Sequence, residues 1–252
     1  MRIACFADAH IGAYGTKIDP DTGLNARLVD YVNTLRFVTT DARLRGADEL
    51  LFAGDLFKSA HPTPTEIVMA NDALKDIWTY AISGNHDLPR GAGEMSALAP
   101  LSSLQLREIP DLVDLGFSSL DGQLALLPYP NRAQLAAGLE DYHKLSPAEA
   151  DNLVAAHVTS VLRGLAAQLV PSKPSVLLAH IAIDTAEVGA ESSIMLGRDI
   201  TIPLSAIPEE FTFAVLGHIH KPQDFRNYGR PNVFYCGSIE RLDFGEQDEE
   251  KS

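Results

Sequence analysis

A short run of polar residues, Gly84-Asn85-His86-Asp87, directly follows the apolar residues 79–82. An amide, an imidazole and a carboxylate in succession are costly to bury in a hydrophobic core, because each polar group needs a partner there. The same side chains are common ligands of divalent metal ions. This stretch is therefore the first candidate for part of a catalytic metal site.

Four further apolar runs end in the same way, with a polar group that can bind a metal ion. Five of the eight histidines of the chain lie in these motifs, more than an even scatter would place there. In open α/β sheets, ligands gather beyond the carboxyl ends of the strands, so neighbouring strands would bring these side chains into one crevice. The predicted metal ligands are Asp8, His10, Asp55, Asn85, His180, His218 and His220.

The types and spacing of these side chains predict two metal ions rather than one. Residues i and i+2 of an extended segment face the same way, so Asp8 and His10 can hold the same ion. The pair His218 and His220 has the same spacing. Oxygen and imidazole ligands without thiolate suit manganese, iron or zinc and fit calcium poorly. Two ions about 3.5–4 Å apart that share Asp55 would clamp the attacking and leaving oxygens of a phosphoryl displacement.

Helices are predicted between several of the apolar runs. Apolar residues at helical spacing indicate a helix over residues 25–45, and Pro62 and Pro64 open a second over residues 65–75. Ser146-Pro147-Ala148-Glu149 is a capping box with proline at the first helical position, so a third helix begins there. Residues 88–110 are interrupted by glycine and proline and are assigned no element beyond one short helix.

The apolar runs themselves are predicted to be strands. Because these runs alternate with helices, the sequence predicts an α/β fold. The runs 112–117 and 123–127 form a pair joined by a turn at 118–122, which favours a mixed sheet. The predicted strands cover residues 2–7, 49–53, 79–82, 112–117, 123–127, 175–179, 211–216 and 232–236.

The composition suits one large domain of a cytoplasmic enzyme. The chain has 252 residues, of which 46% are hydrophobic and 21% charged, so it can form a sizeable core. No apolar run approaches the roughly 20 residues that cross a membrane, and the N-terminus shows no signal-peptide pattern. Cys5 and Cys236 lie in apolar runs and are expected to be buried thiols of a reducing compartment.

The net charge of −14 limits the ways in which this domain could act on nucleic acid. It argues against a protein that coats nucleic acid, because such proteins carry basic stripes. It does not exclude a nuclease, since bound cations neutralise clustered carboxylates. The acidity does count against tight, salt-driven DNA binding by this domain alone.

The ordered set of motifs resembles the signature of calcineurin-like metallophosphoesterases, and it spans most of the chain. The resemblance implies a four-layer α/β/β/α sandwich of two mixed sheets flanked by helices. It also implies one ion held by Asp8, His10, Asp55 and His220, and a second held by Asp55, Asn85, His180 and His218. The matching motifs are Asp8-x-His10, Gly54-Asp55, Gly84-Asn85-His86-Asp87, His180 and Gly217-His218-x-His220.

The same resemblance leaves His86 outside the set of metal ligands. His86 is then expected to act as an acid near the leaving oxygen, where an imidazolium can donate a proton or stabilise developing charge. Asp87 is the second candidate catalytic residue, with the role of orienting His86. Asp87 could equally cap the segment that follows it, and the sequence leaves both roles open.

Three further stretches resemble the SbcD-type DNA-repair exonuclease branch of this family. They are Gly54-Asp55-Leu56-Phe57 with the Pro62/Pro64 helix, the residues 218–223, and the closing run Tyr235–Glu246. The resemblance implies cleavage of DNA phosphodiesters with two divalent ions, expected to be manganese. It implies exonuclease action on DNA ends and endonuclease action on single strands or hairpins, in DNA repair or recombination. It also implies a homodimer formed through helices within residues 62–106.

The branch resemblance also sets expectations for domains and partners. Residues 1–245 are expected to form the catalytic domain, and the acidic tail 246–252 is expected to be frayed. Capping and ATPase-binding domains are expected to be absent, which puts in doubt the partnership with an SbcC-type ATPase. No Gly-x-x-x-x-Gly-Lys phosphate loop occurs in the chain, so any ATP dependence would come from such a partner.

Two other functions compete with the nuclease. A small-substrate phosphodiesterase or phosphatase of the same family could retain this set of ligands. A non-catalytic scaffold could retain the fold without the chemistry. The sequence argues against the scaffold, because loss of function tends to erode metal ligands and none of the expected ones is missing.

Overall fold

The computed structural model describes residues 2–88, 95–115, 121–131, 142–189, 200–249 and 251, and these residues contain two main β-sheets. The first sheet has four strands, which lie side by side in chain order, and all three of its pairings are parallel. Its strands are β1 (Ile3–Phe6), β2 (Glu49–Phe52), β3 (Thr79–Ile82) and β4 (Leu104–Arg107).

The second sheet has six strands and is mixed. Its strands are, from one edge to the other, β11 (Gln223–Phe225), β12 (Arg230–Tyr235), β10 (Phe213–Gly217), β7 (Ser175–His180), β6 (Gly122–Leu127) and β5 (Asp111–Leu115). The three inner pairings of this sheet are parallel, and the two outer pairings are antiparallel. Two very short strands, β8 (Ala182–Ile183) and β9 (Thr201–Ile202), pair with each other.

Three long helices begin at the capping residues that the sequence supplies. Helix α1 (Ala26–Leu44) starts after Asn25, whose side chain accepts a hydrogen bond from the backbone N–H of Leu28. Helices α2 (Pro64–Leu74) and α3 (Pro147–Ala166) both begin with proline and a complete capping box. Such boxes satisfy N–H groups that the first turn leaves free, so the starts of these helices follow from local sequence.

The two sheets pack face to face, with helices on their outer faces. The layer between the sheets contains Leu51 and Ile82 from the first sheet and Leu126, Leu178 and Val215 from the second. Helices α1 and α2 cover the other face of the first sheet, and α3 covers that of the second. Each fully buried leucine or isoleucine contributes about 1.5–3 kcal/mol. The layers therefore follow the order α/β/β/α, which confirms the predicted fold.

Some elements differ from the sequence-based expectation. The first sheet is parallel rather than mixed, because its first two connections cross over through α1 and α2. Residues 95–103 form turns rather than a helix, and β4 follows them. The strands β8, β9 and β11 were not predicted, since runs of two or three residues are too short to show a period. Residues 89–94 and 116–120, the latter including most of the predicted turn, lie outside the described residues.

The prediction of a frayed tail over residues 246–252 is wrong for its first residue, Glu246. Glu246 ends a short 3₁₀ turn, Phe244–Glu246, and is only 1% exposed. Its carboxylate accepts a hydrogen bond from the backbone N–H of Leu242 at 3.1 Å and lies 2.8 Å from Lys251 Nζ. These partners offset the cost of burying a charge that an acidic stretch would otherwise keep in solvent.

None of the helices among the described residues is long and apolar enough to span a membrane.

Candidate metal centre

The parallel strands bring the predicted ligands to one end of the sandwich. Asp8, Asp55 and Asn85 follow β1, β2 and β3, which run parallel, so they leave the first sheet at the same edge. His180 ends β7, and it pairs in register with Gly217 at the end of β10, directly before His218. The predicted strand-end crevice therefore forms where the carboxyl ends of both sheets meet.

Four of the predicted ligands have a left-handed backbone. The φ angles are 51° for Asp8, 44° for His10, 61° for Asp55 and 99° for His218, and no other non-glycine residue in the described part of the chain has positive φ. Such conformations cost on the order of 1–3 kcal/mol each and cluster at functional sites. Asp8 and His10 were predicted to face the same way because they lay in an extended segment. Their backbone is not extended, so that geometric reason does not apply.

Two glycines let the loops approach closely enough to form the site. A Cβ on Gly84 would lie 2.5 Å from the backbone nitrogen of Asp55 and would collide with its carboxylate. A Cβ on Gly217 would collide with the carbonyl oxygen of Ala53 and lie 3.0 Å from His180 Nδ1. Real Cβ atoms do not tolerate such contacts, so only glycine fits at these crossing points.

The first group of ligand atoms comes from Asp8, His10 and His220, which lie within 4.8 Å of one another. His10 Nε2 is 4.0 Å from Asp8 Oδ1 and 3.7 Å from Asp55 Oδ2. His10 is 4% exposed, and its Nε2 has no hydrogen-bond partner among the described residues. An unsatisfied buried nitrogen costs about 1–3 kcal/mol, a cost that a bound cation would remove.

The second group is centred on the amide oxygen of Asn85. His180 Nδ1 lies 2.6 Å from the carbonyl oxygen of Ala53 and donates to it, because a carbonyl can only accept. His180 Nε2 then faces Asn85 Oδ1 at 3.1 Å and Asp55 Oδ2 at 3.5 Å. His218 Nδ1 lies 3.0 Å from the same Asn85 oxygen. Three potential ligand atoms thus converge on one point beside Asp55.

Asp55 stands between the two groups. Its Oδ2 is 3.7 Å from His10 Nε2 and 3.5 Å from His180 Nε2. Burial alone would raise the pKa of Asp55, but the surrounding histidines, His180 foremost with His10 and His86, together lower that pKa. Burial disfavours the charged form of His180, yet the negative Asp55 raises its pKa to about 9. Asp55 is therefore held as a carboxylate at the position that a bridging ligand requires.

Burial acts differently on the outer members of the first group. It raises the pKa of Asp8, a carboxyl group that is fully buried. It lowers the pKa of His10 and so favours the neutral imidazole, the form that binds a metal ion. The backbone N–H of His218 donates to both oxygens of Asp8, at 3.1 and 3.0 Å, and holds this carboxylate toward the site.

His86 lies at the edge of the same group. Its backbone N–H donates to Asp55 Oδ1 at 2.8 Å, and its ring Nδ1 lies 2.8 Å from the carbonyl oxygen of Lys58. The ring meets that of His10 edge to face, with centroids 4.7 Å apart. His10, Asp55 and His86 each have one potential ligand atom, and these three atoms lie within 4.8 Å of one another. His86 is therefore close enough to contact a bound ion or a substrate.

The described partners of the Asp87 side chain lie in the loop after β2 and in its own motif. Its buried carboxylate accepts hydrogen bonds from the backbone N–H groups of Asp55 at 2.8 Å, Leu56 at 3.2 Å and Gly84 at 3.0 Å. Burial, assisted by Asp55, raises its pKa to about 7. Asp87 therefore fixes the loop that carries Asp55, while the carbonyl oxygen of Lys58 is the group that holds the His86 ring.

Two residues near the site were not among the predicted site residues. Tyr129 follows β6 and is half-buried, with its ring 5.7 Å from that of His218 and 6.0 Å from that of His180. The strand-end rule, applied to β6, would have found it. Glu246 Oε1 lies 3.2 Å from His220 Nδ1. Its only sequence signal was its position at the end of the closing motif.

The donor set fits divalent metal ions. It combines carboxylate, amide and imidazole groups without thiolate, which suits such ions. The buried Nε2 of His10, which has no hydrogen-bond partner among the described residues, adds a donor atom in need of a cation.

These features define a member of a known class. The family model for calcineurin-like phosphoesterases matches residues 1–222, and the chain belongs to this family. A solved structure, a dimetal phosphatase from Danio rerio, shares the fold with a TM-score of 0.55 at 9% sequence identity, over 94% of this chain and 87% of that one.

Among curated proteins, the chain is similar to DNA-repair nucleases. It is 27% identical to the DNA double-strand break repair protein Mre11 of Archaeoglobus fulgidus, over 98% of this chain and 52% of that protein. It is 25% identical to SbcD, a component of the nuclease SbcCD of Bacillus subtilis, over 100% of this chain and 65% of that protein. The resemblance to the SbcD-type branch is thereby confirmed. The chain spans between half and two thirds of the length of these relatives.

Proposed function

We propose that this chain is a two-metal-dependent DNA nuclease that acts in DNA repair or recombination. The observation that carries the proposal is the position of Asp55, whose Oδ2 lies 3.7 Å from His10 and 3.5 Å from His180. This carboxylate joins two groups of ligand atoms, as a bridge between two ions would. The similarity to relatives named as nuclease and double-strand break repair proteins supports DNA as the substrate.

The residues of the site can be assigned to two metal ions and to one proton donor. Bound ions, with manganese proposed, would polarise the phosphate and activate the attacking water. The first ion would be held by Asp8, His10, Asp55 and His220, and the second by Asp55, Asn85, His180 and His218. The Lys58 carbonyl orients the ring of His86 through Nδ1, which leaves Nε2 of that ring for the substrate. In its protonated form, His86 would donate this Nε2 proton to the leaving oxygen.

The proposed substrates are DNA ends for exonuclease action, and single strands or hairpins for endonuclease action. A homodimer is proposed through the region 62–106, where the apolar side chains of Val68 and Met95 are 67% and 72% exposed. An SbcC-type ATPase is the proposed partner, by analogy with the SbcCD nuclease named above. Light scattering of the purified chain would test the dimer, with a monomeric mass as the contrary result.

A decisive test of the nuclease compares several substrates in the same manganese buffer. End-labelled linear duplex, circular single-stranded DNA and a DNA hairpin report the proposed activities, and a bis-aryl phosphate reports general phosphodiesterase activity. We expect manganese-dependent shortening of the duplex and cleavage of the circle. Asp55→Asn, purified in parallel, serves as the control for contaminating nucleases, because it lacks the proposed bridge.

The second candidate function is a phosphodiesterase or phosphatase of small substrates. The net charge of −14 favours it, since an acidic surface repels the phosphates of DNA. Rapid hydrolysis of the bis-aryl phosphate, with no DNA cleavage at any manganese concentration, would decide for this alternative.

A further inference from the structure

Glu246 is a buried carboxylate in direct contact with a predicted metal ligand. It is 1% exposed, and its Oε1 lies 3.2 Å from His220 Nδ1. Its Oε2 accepts a hydrogen bond from the backbone N–H of Leu242 at 3.1 Å and lies 2.8 Å from Lys251 Nζ. A carboxylate is buried at this depth only when its lone pairs are satisfied, and the imidazole of His220 is one of the groups that satisfies it.

The segment that carries Glu246 is anchored to helix α1. The carbonyl oxygen of Arg241 accepts a hydrogen bond from the Arg27 side chain at 3.0 Å and from the Tyr31 hydroxyl at 3.4 Å. The Arg241 side chain in turn donates to the carbonyl oxygen of Glu246 at 3.2 Å. Glu246 therefore approaches His220 from a fixed backbone rather than from a mobile end.

The geometry selects one tautomer of His220. A carboxylate accepts the Nδ1 proton of a neutral imidazole, which leaves the lone pair on Nε2. Two other rings of the site have neutral, weaker acceptors at Nδ1. His180 Nδ1 faces the carbonyl oxygen of Ala53, and His86 Nδ1 faces the carbonyl oxygen of Lys58. A negatively charged acceptor raises the basicity of the opposite nitrogen more than a neutral carbonyl does.

We propose that Glu246 is a positioning residue that fixes the tautomer and ring orientation of His220 for metal binding. The proposal rests on the two-metal site described under the proposed function, and it adds a carboxylate that acts through His220 and does not contact the ion. It assigns to the closing motif the role of completing the metal site from the far end of the chain. Groups of this kind contribute about 10–100-fold to metal affinity.

The test uses the full chain and two variants, Glu246→Ala and Glu246→Gln. Manganese affinity is measured by titration calorimetry, and the tautomer of His220 is read from ¹⁵N chemical shifts of the metal-free protein. The His220 signals are assigned by their loss in His220→Ala. We expect Glu246→Ala to weaken manganese binding by about 10–100-fold and to let His220 populate the Nε2–H tautomer. Glu246→Gln retains an acceptor oxygen, so it should keep the Nδ1–H tautomer with a smaller loss of affinity.

Glu249→Gln is the matched control, because the Glu249 carboxylate lies 2.8 Å from Nζ of the same lysine, Lys251, but outside the His220 contact. It should leave both affinity and tautomer unchanged. Unaltered manganese affinity or an unaltered His220 tautomer in folded Glu246→Ala would overturn the proposal. Should that variant not fold, a loss of affinity in Glu246→Gln supports the proposal and wild-type affinity overturns it.

The outcomes separate this inference from the proposed nuclease function, since neither readout requires DNA cleavage. A wild-type chain that binds manganese through a Glu246-dependent His220, yet cleaves no DNA, would retain the inference and lose the nuclease. A manganese-dependent nuclease whose Glu246→Ala variant binds the metal normally would retain the nuclease and lose the inference.

Discussion

The two sheets bring different chemistry to the same site. The loops after the first sheet supply all the proposed oxygen ligands, Asp8, Asp55 and Asn85, together with one imidazole, His10. The second sheet and the loop after it supply only imidazoles, those of His180, His218 and His220. Carboxylates provide the negative charge that attracts a cation, and imidazoles favour transition metals over calcium or magnesium. Neither sheet alone carries a complete donor set, so the site exists only where the two sheets meet.

The sheets are also tied together at the site by their own hydrogen bonds. The backbone N–H of His218 donates to Asp8 at 3.1 and 3.0 Å, and His180 Nδ1 donates to the carbonyl of Ala53 at 2.6 Å. Both bonds cross the junction between the sheets. These protein contacts hold the loops after the first sheet and the histidines of the second sheet in a fixed relative position. The free-energy cost of organising ligands around an ion is thereby lowered.

The largest effect is expected from Asp55→Asn, which removes the charge shared by both halves of the site. Loss of an outer group that only orients a ligand lowers metal affinity by about 10–100-fold. Loss of a bridging ligand should therefore lower the affinity for each of the two ions by more than about 100-fold. Metal content measured by mass spectrometry after dialysis should fall to near zero. The exposed carboxylate of Asp76 offers a matched control, and Asp76→Asn should retain the wild-type metal content.

His180→Ala provides the contrast from the nitrogen side. It removes a ligand of only one proposed ion, so one ion per chain should remain. Retention of one ion at full occupancy in Asp55→Asn would contradict the bridge, and loss of both ions in His180→Ala would contradict the division into two groups.

His86→Ala tests a residue that belongs to the oxygen-rich side but is proposed to act on the substrate. Turnover should fall by about 10²–10⁴-fold, the usual contribution of a general acid, while metal content stays at the wild-type level. His61→Ala is the control, because His61 is an exposed histidine. A parallel loss of bound metal in His86→Ala would identify His86 as a ligand instead.

Asp87→Asn tests the internal support of the first sheet. The amide nitrogen of the new side chain would face backbone N–H groups that now donate to the Asp87 carboxylate. One of them is the backbone N–H of Asp55, at 2.8 Å. Buried N–H groups left without an acceptor cost about 1–3 kcal/mol. The free energy of unfolding, measured by urea denaturation in a chelator, should fall by that amount. Asp114→Asn, at an exposed carboxylate, should stay within about 0.5 kcal/mol of wild type, and equal stability of the two variants would count against this role for Asp87.

Two glycines, Gly217 at the end of β10 and Gly164 in α3, are expected to respond to alanine in opposite ways, and the effect at Gly164 is the smallest. A methyl group at Gly217 would collide with Ala53 of the first sheet, so Gly217→Ala should destabilise the fold by about 1–3 kcal/mol. Gly164 lies in α3, where a Cβ would meet no atom within 4 Å, and Gly164→Ala should stabilise by about 0.5–1 kcal/mol. Thermal denaturation of both variants measures the difference, and opposite signs are the expected result.

Local sequence was sufficient for much of the fold and for the choice of candidate ligands. Proline and capping residues mark the starts of α2 and α3, and apolar runs that stop at Asp, Asn or His mark the strands that surround the site. Both signals lie within a few residues of what they predict. That is why the strand Thr79–Ile82 and the group that follows it could be placed from sequence alone.

Contacts between distant segments were not predictable in this way. The carboxylate of Asp87 bonds to backbone groups more than 30 residues earlier in the chain, and backbone partners leave no trace in residue types. Glu246 lies in an acidic stretch that suggests solvent exposure, and its burial depends on His220 and Lys251. In both cases, a charged side chain has a structural partner that only the folded chain supplies.

The left-handed backbone at Asp8, His10, Asp55 and His218 has a consequence for locating such centres. A trace of main-chain torsion angles, without any side chain, would mark this site, because these four positions are the non-glycine residues with positive φ in the described chain. At about 1–3 kcal/mol each, their combined strain approaches the net stability of an ordinary domain, about 5–15 kcal/mol. The rest of the sandwich must therefore be more stable than its overall free energy of unfolding suggests.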